Sequence, residues 1–276
     1  MTASVVALVL VAAFLHAGWN TLLRGGTDRL WSMSVMNLAV GGLGLVGLLA
    51  FGLPNPSSWP YAVASGFIHI AYNALLLVTY RSGDLGQTYP IARGSSPAMV
   101  ALGAALVARE HPDVLGAAGI ALVSCGILAL AFAKGGVARS QLIAALGTGA
   151  TIAAYTLVDG IGVRVSGDWL SYTAAMFCFH LAFPIWLAFV RGSRVLDASP
   201  VESAKALGGG VISLVAYAVV IWAMRLGAMG AVSALRETSV VFAALLGRAF
   251  LAERLTAGRI AACLVIALGA ALIGHT

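Results

Sequence analysis

Apolar runs of about twenty residues recur along this 276-residue chain, each closed by a short polar or glycine-rich break. A helix that crosses a bilayer needs roughly 20 mostly apolar residues. That criterion predicts ten spanning helices, at 4–23, 32–52, 60–80, 85–107, 114–133, 141–163, 169–190, 206–225, 229–251 and 256–274. The breaks carry turn chemistry, as in Arg24-Gly25-Gly26-Thr27-Asp28, Pro54-Asn55-Pro56-Ser57-Ser58, Lys134-Gly135-Gly136 and Asp197-Ala198-Ser199-Pro200. No stretch is long or polar enough for a separate soluble domain. No basic stretch precedes the first run, so residues 4–23 are expected to span the membrane and not to be a cleaved signal segment.

The pattern occurs twice. Arg93 and Arg236, Glu110 and Glu253, and Gly126 and Gly269 are each 143 residues apart. Arg81 and Arg225, His69 and Ser213, and Asn73 and Tyr217 are each 144 apart, so one residue is lost in the stretch ahead of the arginines, where Pro90 has no counterpart. The chain divides into repeats at about 1–137 and 138–276, with five spans in each. An odd number of spans makes the second copy enter the membrane the other way up. The expected fold class is an all-α integral membrane protein, ten transmembrane helices as two inverted five-helix repeats. Transporters built this way place their site near the midplane between the halves.

Composition agrees. The chain is 61% hydrophobic and 9% charged, with a mean hydropathy of +0.97. Soluble domains carry about 25% charge, so lipid is the solvent for most of this chain. The formal charge of +6 comes from basic residues standing singly at the ends of apolar runs, the pattern of interfacial anchors and not of a nucleic-acid surface. The loops between spans 1–2, 3–4, 5–6, 7–8 and 9–10, with their helix ends, hold 11 Lys and Arg; the others hold Arg109, Arg164 and Arg225. This asymmetry predicts that the basic loops are cytoplasmic and both termini outside, in a multi-pass protein of a bacterial inner membrane. Cys125, Cys178 and Cys263 lie apart inside apolar runs, which excludes a disulfide framework or metal knuckle. No phosphate-binding G-x-x-x-x-G-K-[ST] loop is present, so ATP does not drive the protein directly. The expectation is no cofactor, no metal and no nucleic-acid partner. The partners expected are a small-molecule substrate and the bilayer, with the chain as a monomer or weak homodimer.

Ionisable groups deep inside spans are costly and mark functional sites. Arg93 lies about 8 residues into its helix, roughly 12 Å at 1.5 Å per residue. Arg236 lies equally deep from the opposite face, so both fall near the midplane of a core roughly 30 Å thick. Two guanidiniums facing one cavity would clamp a carboxylate or phosphate. The competing reading is that each neutralises a neighbour, as Glu237 beside Arg236, or binds carbonyls freed by Pro90 and Pro97. Pro90, Gly94 and Pro97 are expected to kink or unwind the fourth span around Arg93.

Polar stripes mark faces that turn inward. The first span carries His16, Trp19 and Asn20, with Arg24 in register; the third carries His69, Tyr72 and Asn73. The sixth carries Thr151, Tyr155 and Asp159, and the eighth Ser213 and Tyr217. With Tyr89, one turn before Arg93, these predict a binding cavity between spans 1, 3, 4, 6, 8 and 9. The residues expected to line it are Arg93, Arg236, His16, Trp19, Asn20, Tyr72, Asn73, Tyr89, Tyr155 and Tyr217. Asp159 and Glu237 are the carboxylates well inside spans and are candidates for proton coupling. Pairing with Arg164 or Arg236 is the favoured alternative for them. His180 is expected to be a packing residue.

His16-Ala17-Gly18-Trp19-Asn20, the run Tyr89-Pro90-Ile91-Ala92-Arg93-Gly94-Ser95-Ser96-Pro97, and the helix-end acids Glu110 and Glu253 resemble motifs of the drug/metabolite transporter superfamily, specifically the ten-helix EamA-type exporters. The resemblance covers the whole chain. It implies export of small metabolites, amino acids being the commonest class, from a cavity built mainly of spans 3, 4, 8 and 9. The chain departs from the four-helix multidrug relatives, which carry a glutamate in the first helix; here that helix has no carboxylate, so their proton exchange does not carry over. Family members are usually assigned both termini inside, against the charge count. The expected function is a secondary transporter exporting small metabolites by alternating access, not an enzyme. Two other readings compete. An organic-cation exporter would turn Asp159 or Glu237 to the cavity. An intramembrane lipid-modifying enzyme or lipid-binding protein would bring together His16, His69 and Asp159.

Overall fold

Lipid cannot satisfy backbone N–H and C=O groups, so spanning segments close their hydrogen bonds within helices, and the chain is helical throughout its described residues. The computed structural model describes residues 1–24, 28–82, 85–132, 137–192, 199–250 and 255–276. Glu253 lies outside these residues, as do Lys134, Arg194 and Arg254 of the charge count and the turn residues 25–27, 135–136 and 197–198. The first half holds α1 (Ala3–Arg24), α2 (Arg29–Phe51), α3 (Trp59–Ser82), α4 (Leu85–Val107) and α5 (Val114–Phe132). The second holds α6 (Arg139–Val165), α7 (Trp169–Cys178), α8 (Ala182–Arg191), α9 (Pro200–Leu226), α10 (Met229–Glu237), α11 (Ser239–Phe250) and α12 (Ala257–Gly274). A short 3-10 turn, Phe179–Leu181, joins α7 to α8, so these form one interrupted span; α10 and α11 form another. Eight of the described segments are long and apolar enough to cross a membrane, and α3 and α4 match them in length. The outer faces suit lipid: Leu49, Leu106 and Phe189 are more than four-fifths exposed.

The observed helices follow the expected spans to within a few residues, with one larger extension. α9 begins at Pro200, six residues before the predicted start. Ser199 caps it by accepting from Glu202 N at 3.2 Å, and Pro200 at the first helical position has no N–H to lose.

The fourth span, expected to kink or unwind at its prolines, does not unwind. α4 runs unbroken through Pro90 and Pro97. Pro97 cannot donate to the carbonyl of Arg93, four residues earlier, but the Ser96 hydroxyl donates to that oxygen at 3.2 Å. The serine beside the proline supplies the missing bond and the helix continues. The break falls instead in the repeat-equivalent span, which has no proline. There Thr238 closes α10 in a tight turn, its N–H and its hydroxyl both donating to Leu235 O, at 3.2 and 2.6 Å.

Packing carries the inverted symmetry. α1 lies along α9 and α3 along α6; α5 lies along α12 and α2 along α7. Exchanging the halves turns the first pair into the second and each of the others into itself. The α5–α12 contact shows the axis most directly. A Cβ added at Gly119 would stand 2.7 Å from Gly269 O, and one at Gly269 would stand 2.7 Å from Gly119 O. A Cβ at Gly126 would stand 3.3 Å from Ala262 O. Ala262 is the repeat counterpart of Gly119, and Gly269 that of Gly126. The contact is therefore self-complementary, as a two-fold requires, and the helices run antiparallel because the repeats are inverted. Close backbone approach here needs glycine.

The helix starts repeat as well. Asp28 caps α2 by accepting from Trp31 N at 3.0 Å, and Asp168, 140 residues on, caps α7 by accepting from Ser171 N at 2.9 Å. Burial works against both charges. Hydrogen bonds from Arg191 and Trp31 outweigh it at Asp28, those of Ser171 and Leu170 outweigh it at Asp168, and both carboxyls are held below the usual range.

Two outcomes are expected. Gly269→Ala should lower the melting temperature in detergent, with an overpacking cost of about 1–3 kcal/mol, whereas Gly147→Ala, where an added Cβ meets nothing within 4 Å, should leave it level or higher. Because the folded carboxyls titrate below an unfolded aspartate near about 3.9, their stabilisation is complete above that pH and is lost as pH falls through the lower folded values. Melting curves of wild type from pH 6 to pH 3 should fall further than those of the Asp28→Asn/Asp168→Asn variant.

Candidate functional site

The centre of the molecule is an ion cluster without solvent exposure. Arg236 and Glu237 are fully buried and Arg93 is 2% exposed. Arg93 Nη1 donates to Glu237 Oε2 at 2.8 Å, and Arg236 Nε donates to Glu237 Oε1 at 3.1 Å. One carboxylate thus bridges two guanidiniums from opposite repeats. Arg93 Nη2 has no hydrogen-bond partner among the described residues. Arg236 Nη2 lies 2.9 Å from Glu237 Oε1 but outside hydrogen-bonding alignment. The pair binds Glu237 with one good bond each and keeps donors to spare.

Each guanidinium also rests on an aromatic ring. Arg93 lies 5.2 Å from the centroid of Tyr89 and donates from Nε to its hydroxyl at 3.1 Å. Residues four apart on α4 share a face, which makes this contact local. Arg236 lies 5.8 Å from the centroid of Tyr155 and reaches Thr156 Oγ1 at 3.5 Å. Tyr155 opens onto an aromatic cluster drawn from α3, α6, α9 and the α7–α8 turn. His69 stacks on it at 4.2 Å, Tyr72 and Tyr217 meet it edge-on at 5.6 and 5.8 Å, and His180 packs 5.1 Å from His69.

Asp159 is fully buried one step further in. The Tyr217 hydroxyl donates to Oδ2 at 2.7 Å and the Tyr172 hydroxyl to Oδ1 at 3.1 Å. This corrects the expected pairing with Arg164. That arginine faces the end of the molecule, where it pairs with Glu110 and donates to the carbonyls of Met224 at 2.9 Å and Gly227 at 2.8 Å. Glu110 Oε2 also accepts the Met229 N–H at 2.8 Å, the first residue of α10. Arg109 just before it adopts φ 54°, a left-handed conformation that L residues pay for, and the turn it makes delivers Glu110 to this junction. The junction ties α4, α6 and α9 to the start of the helix that carries Arg236 and Glu237 at its other end.

The predicted lining residues divide accordingly. Arg93, Tyr89, Arg236, Glu237 and Tyr155 meet in one cluster, with Tyr72 and Tyr217 against Tyr155. On α1, His16 and Trp19 meet edge-on at 5.3 Å, and neither His16 Nδ1 nor Trp19 Nε1 has a hydrogen-bond partner among the described residues. Asn20 spends its amide on its own helix, donating to His16 O at 2.7 Å, and Asn73 is buried on α3 beside Tyr72. The three groups of the enzyme reading do not form one centre: His69 meets Asp159 through shared neighbours, Tyr217 and Ser65, and His16 sits apart with Trp19. Tyr172 and Thr156 were not foreseen. Tyr172 stands between Ser171 and Thr173 near the start of its span, with no polar residue three or four positions on to mark its face. Thr156 sits next to Tyr155, and its facing Arg236 depends on how α6 meets α10.

An inverted pair of helical repeats meeting at buried charges beside a broken helix is the plan of a secondary transporter. Residues 139–274, the second repeat, match the model of the EamA-like transporter family. The chain is a multi-pass membrane transporter of the drug/metabolite class. A crystal structure of a protein 18% identical in sequence covers 99% of this chain and 96% of its own, with a TM-score of 0.78; the likeness establishes a shared fold. No curated protein matches the chain.

Removing one hydroxyl from Asp159 leaves a buried carboxylate short of a donor, which costs about 1–3 kcal/mol. Tyr217→Phe and Tyr172→Phe should each lower the melting temperature in detergent, and the double variant should melt lowest. Unchanged melting in all three would show that the hydroxyls do not hold Asp159.

Proposed function

We propose that the protein exports small metabolites bearing a carboxylate, amino acids foremost, across a bacterial inner membrane by alternating access. The observation that carries this reading is the buried pair of guanidiniums, Arg93 and Arg236, which share one carboxylate and retain unpartnered N–H donors. Guanidinium matches a carboxylate in shape and charge, and away from water such a bond is strong. Arg93 is the first holder of the substrate carboxylate. Tyr89, Tyr155, Tyr72 and Tyr217, with Asn73, Trp19, His16 and Asn20, form the surrounding wall. The two repeats rock about this midplane site, the basic loops facing the cytoplasm and the termini outside. Glu237 and Asp159, each held by donors, lend no support to a cation-binding site; they remain the groups through which a proton would couple.

Proteoliposomes loaded with radiolabelled amino acids, organic acids, sugars or organic cations, with and without a pH gradient, test the reading. Carboxylate-bearing solutes should move and sugars should not. Arg93→Ala, folded as judged by gel filtration, should reduce carboxylate flux by about a hundredfold or more, since it strips a buried charge-assisted bond. Cation flux with no carboxylate flux, or unchanged carboxylate flux in the variant, refutes it.

A further inference from the structure

Glu237 occupies the place where a substrate carboxylate would bind. Its Oε2 takes Arg93 and its Oε1 takes Arg236, so it satisfies the two cations as an incoming carboxylate would. We propose that Glu237 is an internal competitor, a tethered anion that holds the arginine pair when no substrate is present and is displaced when a carboxylate enters. This rests on the carboxylate-binding reading above and assigns the regulation of that same site.

Two features suit Glu237 to displacement. Its grip on each arginine is a single aligned bond and not a two-toothed fork: Arg93 Nη2 has no hydrogen-bond partner among the described residues, and Arg236 Nη2 meets Glu237 Oε1 at 2.9 Å only out of alignment; a free carboxylate that turns to pair two oxygens with one guanidinium makes a stronger contact. Glu237 is the last residue of the nine-residue α10, next to an irregular step in the backbone and not in the middle of a continuous helix. Thr238 makes that step, its N–H and its hydroxyl both donating to Leu235 O three residues back.

Competition also has a use. Two buried arginines without an anion would be costly, and a substrate bound to them unopposed would be slow to leave. An internal carboxylate lowers both barriers. It selects as well: once displaced, Glu237 needs a cation. An α-amino acid supplies its ammonium to Glu237 while its carboxylate takes the arginines. A simple anion supplies none, and it leaves Glu237 stranded. The site with Glu237 in place should therefore favour zwitterions over plain carboxylates.

Purified protein in detergent, titrated with acetate and separately with L-alanine and followed by tryptophan fluorescence and melting temperature, tests this. In Glu237→Gln, acetate should bind about ten- to a hundredfold more tightly than in wild type, the gain expected when one charged hydrogen-bonding competitor is removed. L-Alanine should gain less, because it loses the partner of its ammonium. Acetate should raise the melting temperature of the variant more than that of wild type. Glu237→Asp, whose shorter side chain draws back from Arg93, should fall between the two and serves if the glutamine variant does not fold even in acetate. Equal or weaker acetate binding in both variants, with binding still abolished by Arg93→Ala, overturns the competitor and leaves the carboxylate site standing. If wild type binds neither acetate nor L-alanine, and Arg93→Ala changes nothing, both readings fall.

Discussion

Everything at the centre of this protein answers to one constraint, that a charge taken out of water must find its counter-charge in the fold. Arg93, Arg236 and Glu237 have almost no solvent exposure. Each alone would be prohibitively costly; together they form a chain of cation, anion, cation across the interface between the repeats. The bridge requires α4 of one half to approach α10 of the other. It also requires two neighbours on one helix, Arg236 and Glu237, to converge, although successive helical residues point about 100° apart. They meet at the last turn of α10, where the helix ends at Thr238.

The rest of the interior follows the same rule by other means. Asp159 forms no ion pair among the described residues; hydroxyl groups, those of Tyr172 and Tyr217 foremost, take the place of a cation. The carbonyl released by Pro97 is taken by Ser96. At the end of the molecule the Arg164 guanidinium answers a carboxylate and two helix-end carbonyls at once. α10 is thereby held at both ends, by Glu110 at its first N–H and by the ion cluster at its last residues. The short helix bearing the clamp thus has one anchor at the end of the molecule and one at its centre. Displacement of Glu237 by a carboxylate would act on one of those two anchors.

Much of this was readable in the chain, for identifiable reasons. The arginines stood out because a charge in a long apolar run has few explanations, and their repeat spacing showed them to be one position sampled twice. Tyr89 and Tyr155 followed from helical periodicity. Two expectations met a different outcome, one decided by a contact three residues back and one by contacts between helices. Proline predicted a break in α4, but the neighbouring serine repaired the ladder. The break came at Thr238, with no glycine or proline to announce it. Asp159 was paired with Arg164, five residues along the same helix; that spacing points the two side chains in different directions, and each found partners on other helices.

Sequence alone determined the solvent, the element type, the duplication and its inversion. These depend on composition, on run length against the thickness of a bilayer, and on the parity of five spans, and all three can be counted along a chain. It also determined which residues are too costly to be buried without purpose. Tertiary structure alone decided their partners: that Glu237 serves Arg93 as well as its neighbour, that Tyr172 and Tyr217 hold Asp159, and that Glu110 caps a helix 119 residues away. The physical reason is range. Periodicity and propensity act within a few turns, whereas a buried charge is satisfied by whichever group the packing of helices brings within about 3 Å, and that group can lie anywhere in the sequence.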